Sequence, residues 1–214
     1  ARRAGCGTDL FSMLCHSRGE HGERFSDTDI VNHMIFLLMA AHDTSAIAIS
    51  MLVYELGRNT DWQDRLRDEA LHNANDELTL ADLDGGYPLL DAAFDEILRM
   101  YAPAGTLFRQ ALTDTEVAGH FIPRKSQVAI NVYASMRLAD WWPDPDRFDP
   151  GRFLGGADAR PVHRYAFAPF GGGVHKCLGQ QFADMNVKAV MHQLLRHFDW
   201  HVPAGYRPMM TWGT

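Results

Sequence analysis

A single run of helical periodicity, from about residue 26 to residue 56, limits this chain more than any other feature. Ser26, followed three positions later by Asp29, reads as an N-cap with an imperfect capping box, and Gly57 reads as the stop. At 1.5 Å per residue such a run is about 45 Å long, enough to cross a whole domain. Residues 31–56 are mostly apolar, so the helix is either a membrane span or the spine of a protein core. A span needs about 20 mainly apolar residues and tolerates central polar groups poorly. Asn32, His33, His42, Asp43, Thr44 and Glu55 interrupt this one. The expectation is a helix through a protein core, with no membrane span.

The polar residues fall where such a helix would be most buried. Thr44 has a local outlet, a bond back to the carbonyl of Ala40. Asp43 has none, and a buried carboxylate needs a partner or a purpose. The functional reading is a local opening of the helix, with Asp43 and Thr44 lining a pocket.

The rest of the chain alternates short elements. A short helix is expected around residues 10–16, and a charged, largely surface helix over 61–73. A turn or short helix follows at 78–84, broken by Gly85 and Gly86. Pro88 suits a helix start, and the helix that follows runs to Tyr101, with Glu96 and Arg99 on one face. From spacing alone that pair is either an exposed ion pair or a buried one. Pro103 ends the helix. Residues 106–111, 115–118 and 127–130 read as strands, with Gly119-His120 and Pro123-Arg124 as turns. A short helix is expected within 131–138. Residues 140–156 lack periodicity, yet Trp141, Trp142, Phe148 and Phe153 argue for a packed segment. A last helix runs from Gly179 to about Phe198, and 202–214 read as the start of a strand. The fold class is mainly α with small β-sheets.

Two bulk properties narrow the function. A net charge of -7 argues against a general nucleic-acid binder. Three cysteines, Cys6, Cys15 and Cys177, are too few and too unevenly spaced for a disulfide framework, which fits a reducing, cytoplasmic setting. No signal-peptide pattern opens the sequence.

Cys177 sits within F-G-G-G-V-H-K-C-L-G at residues 170–179. A buried free thiol is one reading. Its setting suggests others. Consecutive glycines let the backbone approach something flat and bulky. A following helix places its positive end near the sulfur and favours thiolate, an effect reinforced by Lys176 and His175. Zinc or an iron–sulfur cluster would require further ligands at metal spacing, and no C-x-x-C is present. His175 is badly placed to activate Cys177 as a nucleophile. A solitary thiolate holding haem iron fits better, with the plain buried thiol still standing beside it.

At this point the chain resembles the cytochrome P450 family. Phe170, Gly173, Cys177 and Gly179 match F-x-x-G-x-x-x-C-x-G; Glu96 and Arg99 match E-x-x-R. Ala40-Ala41-His42-Asp43-Thr44 is similar to the oxygen-activating helix, and Pro150-Gly151-Arg152-Phe153 to the P-E-R-F element. The resemblance implies haem b as cofactor, with Cys177 as its axial thiolate. It implies Asp43 and Thr44 as the proton-delivery pair, with Ala40 and Ala41 leaving room above the iron. Glu96, Arg99 and Arg152 become a buried structural triad. His175 and Arg109 become propionate contacts, Phe170 packs beside the thiolate, and Gly171 and Gly173 shape the loop. Residues 103–108 would border the substrate.

Three departures stand out. Gly151 replaces the usual glutamate, and Ala41 the commoner glycine. The resemblance also covers only the second half of such a protein, so the expectation is residues 1–214 as the C-terminal part of one haem domain, with the N-terminal half and extreme C-terminus absent. That N-terminal half is a possible separate partner. The implied activity of the complete enzyme is monooxygenation of a small hydrophobic substrate with electrons from a ferredoxin or flavodoxin, steered by Lys176 and Lys188. A non-catalytic haem-binding or structural fragment is a competing reading. A partner-independent peroxygenase or isomerase is another, against which Asp43 and Thr44 argue.

Overall fold

The structure, a computed structural model, describes residues 7–72, 78–83, 85–155, 163 and 165–209 of the 214. Cys6, residue 156 and residues 210–214, all named in the expectations above, lie outside the described residues. The chain divides into two compact units, Ala1–Thr44 and Ser45–Thr214.

In the first unit, helix α1 (Leu10–His16) is capped by Asp9, whose carboxylate accepts from the Ser12 amide at 2.9 Å. Helix α2 (Asp27–Arg58) begins here and runs without a break for 32 residues, through the unit boundary. The capping box is realised with an aspartate: Ser26 Oγ accepts from the Asp29 amide, and Asp29 accepts from the Ser26 amide. The Ser26 hydroxyl and then the Ser26 amide, both donating to the Asp29 carboxylate, hold it below its usual range.

The C-terminal part of α2 joins the second unit, with α3 (Thr60–His72), α4 (Leu80–Leu83), α5 (Pro88–Tyr101), α6 (Val132–Ser135) and α7 (Gln180–His197). Leu52 and Leu56 of α2, Leu66 of α3, Leu90 and Ile97 of α5, and Met191 and Leu195 of α7 form one continuous core. Apolar burial of this kind is the main force holding such helices together. Strands β1 (Thr106–Gln110) and β4 (Gln127–Asn131) pair antiparallel, with Leu107 opposite Ile130. Strands β2 (Thr115–Val117) and β3 (His120–Ile122) form a separate hairpin. Its two linking residues, Ala118 and Gly119, both have positive φ (50° and 83°), which matches the twist of the strands.

Four expectations change. Gly57 is not the stop of α2, which continues to Arg58. It is a contact point, since a Cβ there would lie 2.8 Å from Trp200 Cδ1. Helix α3 is less of a surface helix than its charge suggests, because Trp62, Gln63, Leu66 and Ala70 are buried. His120 belongs to a strand, not a turn. Residues 202–209 form no strand among the described residues.

Helix α2 also departs from the expected core spine. Val31, Ile35, Phe36, Leu38 and Met39 are exposed. Burial requires partner elements; Ile30 is buried near the start of α2, and the helix joins the main core from Ala48 onward, where α3, α5 and α7 meet it. By length and composition α2 is the one helix among the described residues apolar enough to cross a membrane. Its C-terminal turns instead hold Glu55 inside the protein, where Tyr101 Oη donates to the carboxylate and Asn59 Nδ2 donates at 3.3 Å. Burial and that carboxylate push the Tyr101 phenol well above its ordinary value.

Candidate functional site

Helix α5 settles the question its spacing left open. Glu96 and Arg99 are both fully buried, at 0% exposure. Arg99 grips Glu96 with two parallel bonds, Nε to Oε2 at 2.6 Å and Nη2 to Oε1 at 3.0 Å. Arg152 Nε donates to Oε1 at 3.3 Å, and the Asp149 amide donates to the same oxygen at 2.9 Å. Arg99 also donates to the carbonyls of Met136 (3.1 Å) and Pro145 (2.8 Å), with its guanidinium 5.5 Å from the ring of Trp142. Burying a charge is unfavourable unless it is paired and hydrogen-bonded, and this cluster meets both conditions.

The same cluster accounts for Gly151. Residues Pro150–Phe153 form a 3₁₀ turn capped by Asp149, whose carboxylate accepts from the Gly151 amide at 3.1 Å. A Cβ at 151 would stand 2.9 Å from that carboxylate oxygen. Asp149 therefore works from both its backbone and its side chain. Sequence reasoning passed over it, although an aspartate just before a proline-led turn is a capping signal.

Cys177 ends a tight loop that leads into α7. Its amide donates to the Phe170 carbonyl at 2.9 Å, which closes residues 170–177 into a ring. Gly171 and Gly173 have φ of 71° and 67°, a conformation that disfavours any side chain. Gly172 is needed for a different reason, because a Cβ there would meet the Tyr165 ring at 3.1 Å. A short 3₁₀ turn spans Gly173–His175. Gly179 caps α7, and a Cβ at that position would lie 3.8 Å from Cys177 Sγ, so the sulfur sits at the positive end of the helix.

Phe170 packs against the main core and offers Cys177 its carbonyl. Leu107 of β1 reaches the loop, with Cδ1 3.5 Å from the Cβ position of Gly171. Arg109 is two residues further along β1 and shares the half-buried face of Leu107, since side chains alternate along a strand. In this structure its Nη1 donates to the Phe108 carbonyl. His175 and Lys176 are exposed.

The loop's own side chains face outward. Cys177 is an exposed free thiol, Val174 is 95% exposed and Leu178 98% exposed. Among the described residues no group of three or more His, Cys, Asp or Glu is placed to hold a bare metal ion. A solitary thiol flanked by apolar side chains, on a glycine loop at a helix N-terminus, fits a flat apolar group that carries the metal's other ligands itself. Haem has that chemistry. Sequence reasoning missed Val174 and Leu178, because an apolar residue in a loop gives no sign of its direction.

Residues 40–44 contradict the expected geometry. Helix α2 does not open. Thr44 Oγ1 donates to the Ala40 carbonyl at 2.8 Å, the local outlet noted above. Asp43 is not buried; its side chain is 83% exposed and lies 2.7 Å from His42 Nδ1. Ala40 is exposed and Ala41 half-buried. Solvation of the carboxylate and the back-bond to Ala40 together remove the need for a kink.

Lys188 is a second correction. It is 4% exposed, ion-paired with Asp91 (2.7 Å) and Asp184 (2.9 Å), and is no surface charge for steering a partner. A cavity of about 610 Å³ lined by Tyr54, Arg58, Tyr101 and residues 202–208 contains none of the site residues read from the sequence.

A profile of the cytochrome P450 family matches residues 2–212. The chain belongs to the cytochrome P450 family. Putative cytochrome P450 136 of Mycobacterium tuberculosis is 42% identical over 92% of this chain and 40% of its own length. Putative cytochrome P450 120 of a Synechocystis strain is 31% identical over 92% and 44%. Sterol 14alpha-demethylase of Mycolicibacterium vanbaalenii is 32% identical over 91% and 43%. Among solved structures, retinoic acid-bound cyanobacterial CYP120A1 superposes with a TM-score of 0.87 at 31% identity, covering 92% of this chain and 46% of that one. The chain thus spans less than half the length of the relatives it matches. The P450 fold, mainly helical with small sheets, follows from the superposition. Cytochromes P450 bind haem b through a cysteine thiolate.

Proposed function

We propose that this chain contributes the cysteine-bearing part of one haem domain in a haem-thiolate monooxygenase, with Cys177 as the axial ligand. The observation that carries the reading is the loop itself: an exposed thiol at the start of α7, framed by glycines and by outward Val174 and Leu178. When bound, the haem supplies the oxygen chemistry, and the protein supplies ligation, orientation and protons.

The chain's residues take defined parts in this reading. The N-terminus of α7 stabilises the Cys177 sulfur as thiolate. Gly171 and Gly173 keep the backbone low enough for a flat group to lie over the loop. Arg109 and His175 hold the anionic edge of the cofactor through charge-assisted bonds, for which Arg109 leaves the Phe108 carbonyl. Glu96, Arg99 and Arg152 hold the segment before the loop in place. Thr44 would exchange its bond to Ala40 for one into the pocket above the cofactor, and Asp43 would supply a proton there. Residues 103–108 border a hydrophobic substrate. Relatives named for retinoic acid and for sterol make elongated apolar lipids the first compounds to screen. Electrons come from a ferredoxin- or flavodoxin-type donor, with Lys176 as the exposed cation beside the loop.

The direct test is the reduced, carbon monoxide-bound absorption spectrum of the haem-loaded protein. Thiolate ligation gives the long-wavelength Soret band, and Cys177→His should move it to the position of a neutral ligand. An unmoved band in that variant would sink the assignment of Cys177.

The bonds that Asp43 and Thr44 make inside α2 favour a second reading, a haem-binding protein without turnover. Product formed from dioxygen and an electron donor, and lost to hydrogen peroxide release in Thr44→Ala, decides for the monooxygenase. A thiolate spectrum with no turnover of any apolar substrate decides for the alternative.

A further inference from the structure

Polar bonds pin α7 to its neighbours near its start, its middle and its end. Toward the start, Lys188 Nζ donates to the Leu83 carbonyl at 2.9 Å and pairs with Asp91 at 2.7 Å. Toward the end, Arg67 of α3 donates to the Leu195 carbonyl at 3.0 Å. Between them His192 meets Tyr87, the N-cap residue of α5. Its Nδ1 lies 2.8 Å from the phenol oxygen, and the two rings stand edge-on at 5.9 Å. An ammonium and a guanidinium hold the ends and keep their charge well past neutrality. An imidazole holds the middle, and its ordinary pKa is about 6.5.

The surroundings fix how that imidazole is protonated. His192 is 0% exposed and Tyr87 1%. Arg196, one turn further along α7, brings Nη1 to 3.4 Å from His192 Nε2. A guanidinium can only donate, so Nε2 is the bare nitrogen, and Nδ1 carries the proton that Tyr87 Oη accepts. A second proton would sit on Nε2, facing a fixed cation and shut off from water.

The other charged groups around the site offer no relief. On α7, Lys188 is turned to Asp91 and Asp184, and His197 is exposed. On α5, Asp91 is taken by Lys188, and Asp95 lies further along the helix than Asp91. On α3, Glu69 accepts from the amides of Leu89 and Leu90, and Arg67 is another cation. On α4, the Asp82 carboxylate accepts from the Thr79 amide at 2.8 Å and the Thr79 hydroxyl at 2.7 Å. Glu55 of α2 is bonded to Tyr101 and Asn59. Among the described residues none of them gives Nε2 an acceptor.

We propose that His192 is an acid-released pin: neutral, it fastens the middle of α7 to the head of α5; protonated, it leaves its pocket and that part of α7 loosens. The helix concerned is the one whose N-terminus carries the cysteine loop. The electrostatics agree with the geometry. Burial first, then Arg196 and His197, hold the imidazole below its ordinary value, and Asp82 opposes them.

The sign follows from linkage. A histidine lowered in the folded state stays bare where the unfolded chain takes up a proton. Its share of stability is complete above about pH 6.5, falls as pH drops below that, and stops falling beneath the folded-state value.

The test is thermal unfolding of the intact haem-loaded protein against pH, wild type beside His192→Gln. The glutamine amide can bond to Tyr87 and Arg196 but takes up no proton. Other groups titrate in both proteins, so the difference between them is the readout. Wild type should lose about 3 °C against the variant between about pH 7 and about pH 5, with a flat difference above that range. Amide exchange around His192, corrected for intrinsic rates, should accelerate over the same range in wild type alone. A difference that ignores pH would overturn the proposal, as would exchange equally slow in both proteins. So would a wild type that gains on the variant in acid, which would mean a protonated imidazole paired with a carboxylate such as Asp82. Arg196→Gln gives a second measurement if His192→Gln folds poorly. Its amide oxygen can accept from a protonated Nε2, so the acid loss should shrink. A loss of unchanged size would equally refute the pin.

Discussion

Glu96 and Cys177 stand at the two ends of one arrangement, and the chain treats them in opposite ways. Around Glu96 it supplies everything: two guanidinium groups, a backbone amide, carbonyls for the remaining arginine protons, and complete exclusion of water. Around Cys177 it supplies shape alone, with the thiol and its apolar neighbours facing out. A finished polar cluster holds structure, and its charges are committed to one another. An unfinished surface at a helix end is where an added group can bind. Stability should therefore concentrate at the first region and ligation at the second.

The largest effect should come from cutting the finished cluster. Glu96→Ala leaves two arginines buried without their acceptor and should destabilise the protein by about 3–5 kcal/mol, read from denaturant unfolding. A loss under about 1 kcal/mol would show that the cluster is not the stabilising region. Next is Gly57→Ala, which forces a methyl group against Trp200 and should cost about 1–3 kcal/mol. Its effect reveals how far the core around α2 stiffens the same unit. Glu69→Ala should cost about 1 kcal/mol, because Glu69 caps α5 from a neighbouring helix. A melting curve that Glu69→Ala leaves unchanged would mean that Pro88 alone starts the helix. The smallest stability effect belongs to Cys177→Ser. An exposed side chain should change unfolding by no more than about 0.5 kcal/mol, while the thiolate signature of the haem disappears. Large destabilisation in that variant, measured without haem, would erase the contrast between the two regions.

Much of this was legible in residue order. Pro88 and Pro103 bracket α5 through backbone constraints that act locally, and the helix occupies Pro88–Tyr101. Ser26 and Asp29 cap α2 for the same reason. The positive φ of Gly171 and Gly173 could be anticipated because only glycine adopts it freely. What failed did so where long-range contact decides. The charged face of α3 hid the burial of Trp62 and Gln63, whose partners include the distant Trp200: Gln63 Nε2 donates to its carbonyl at 2.9 Å. Lys188 read as a surface cation because nothing local announces Asp91, nearly a hundred positions away. Asp43 read as buried because its neighbours are apolar, whereas exposure depends on what covers them.

The sequence by itself determined the family, the run of helices, and the loop that presents one cysteine, since these rest on backbone propensity and on spacing along the chain. Only the tertiary structure decided that Glu96 and Arg99 are fully buried, that Asp149 completes their cluster, that Lys188 is walled in by aspartates, and that Val174 and Leu178 point outward. Those outcomes turn on burial and on partners far apart in the chain. Both are properties of the packed molecule, and no local pattern encodes them.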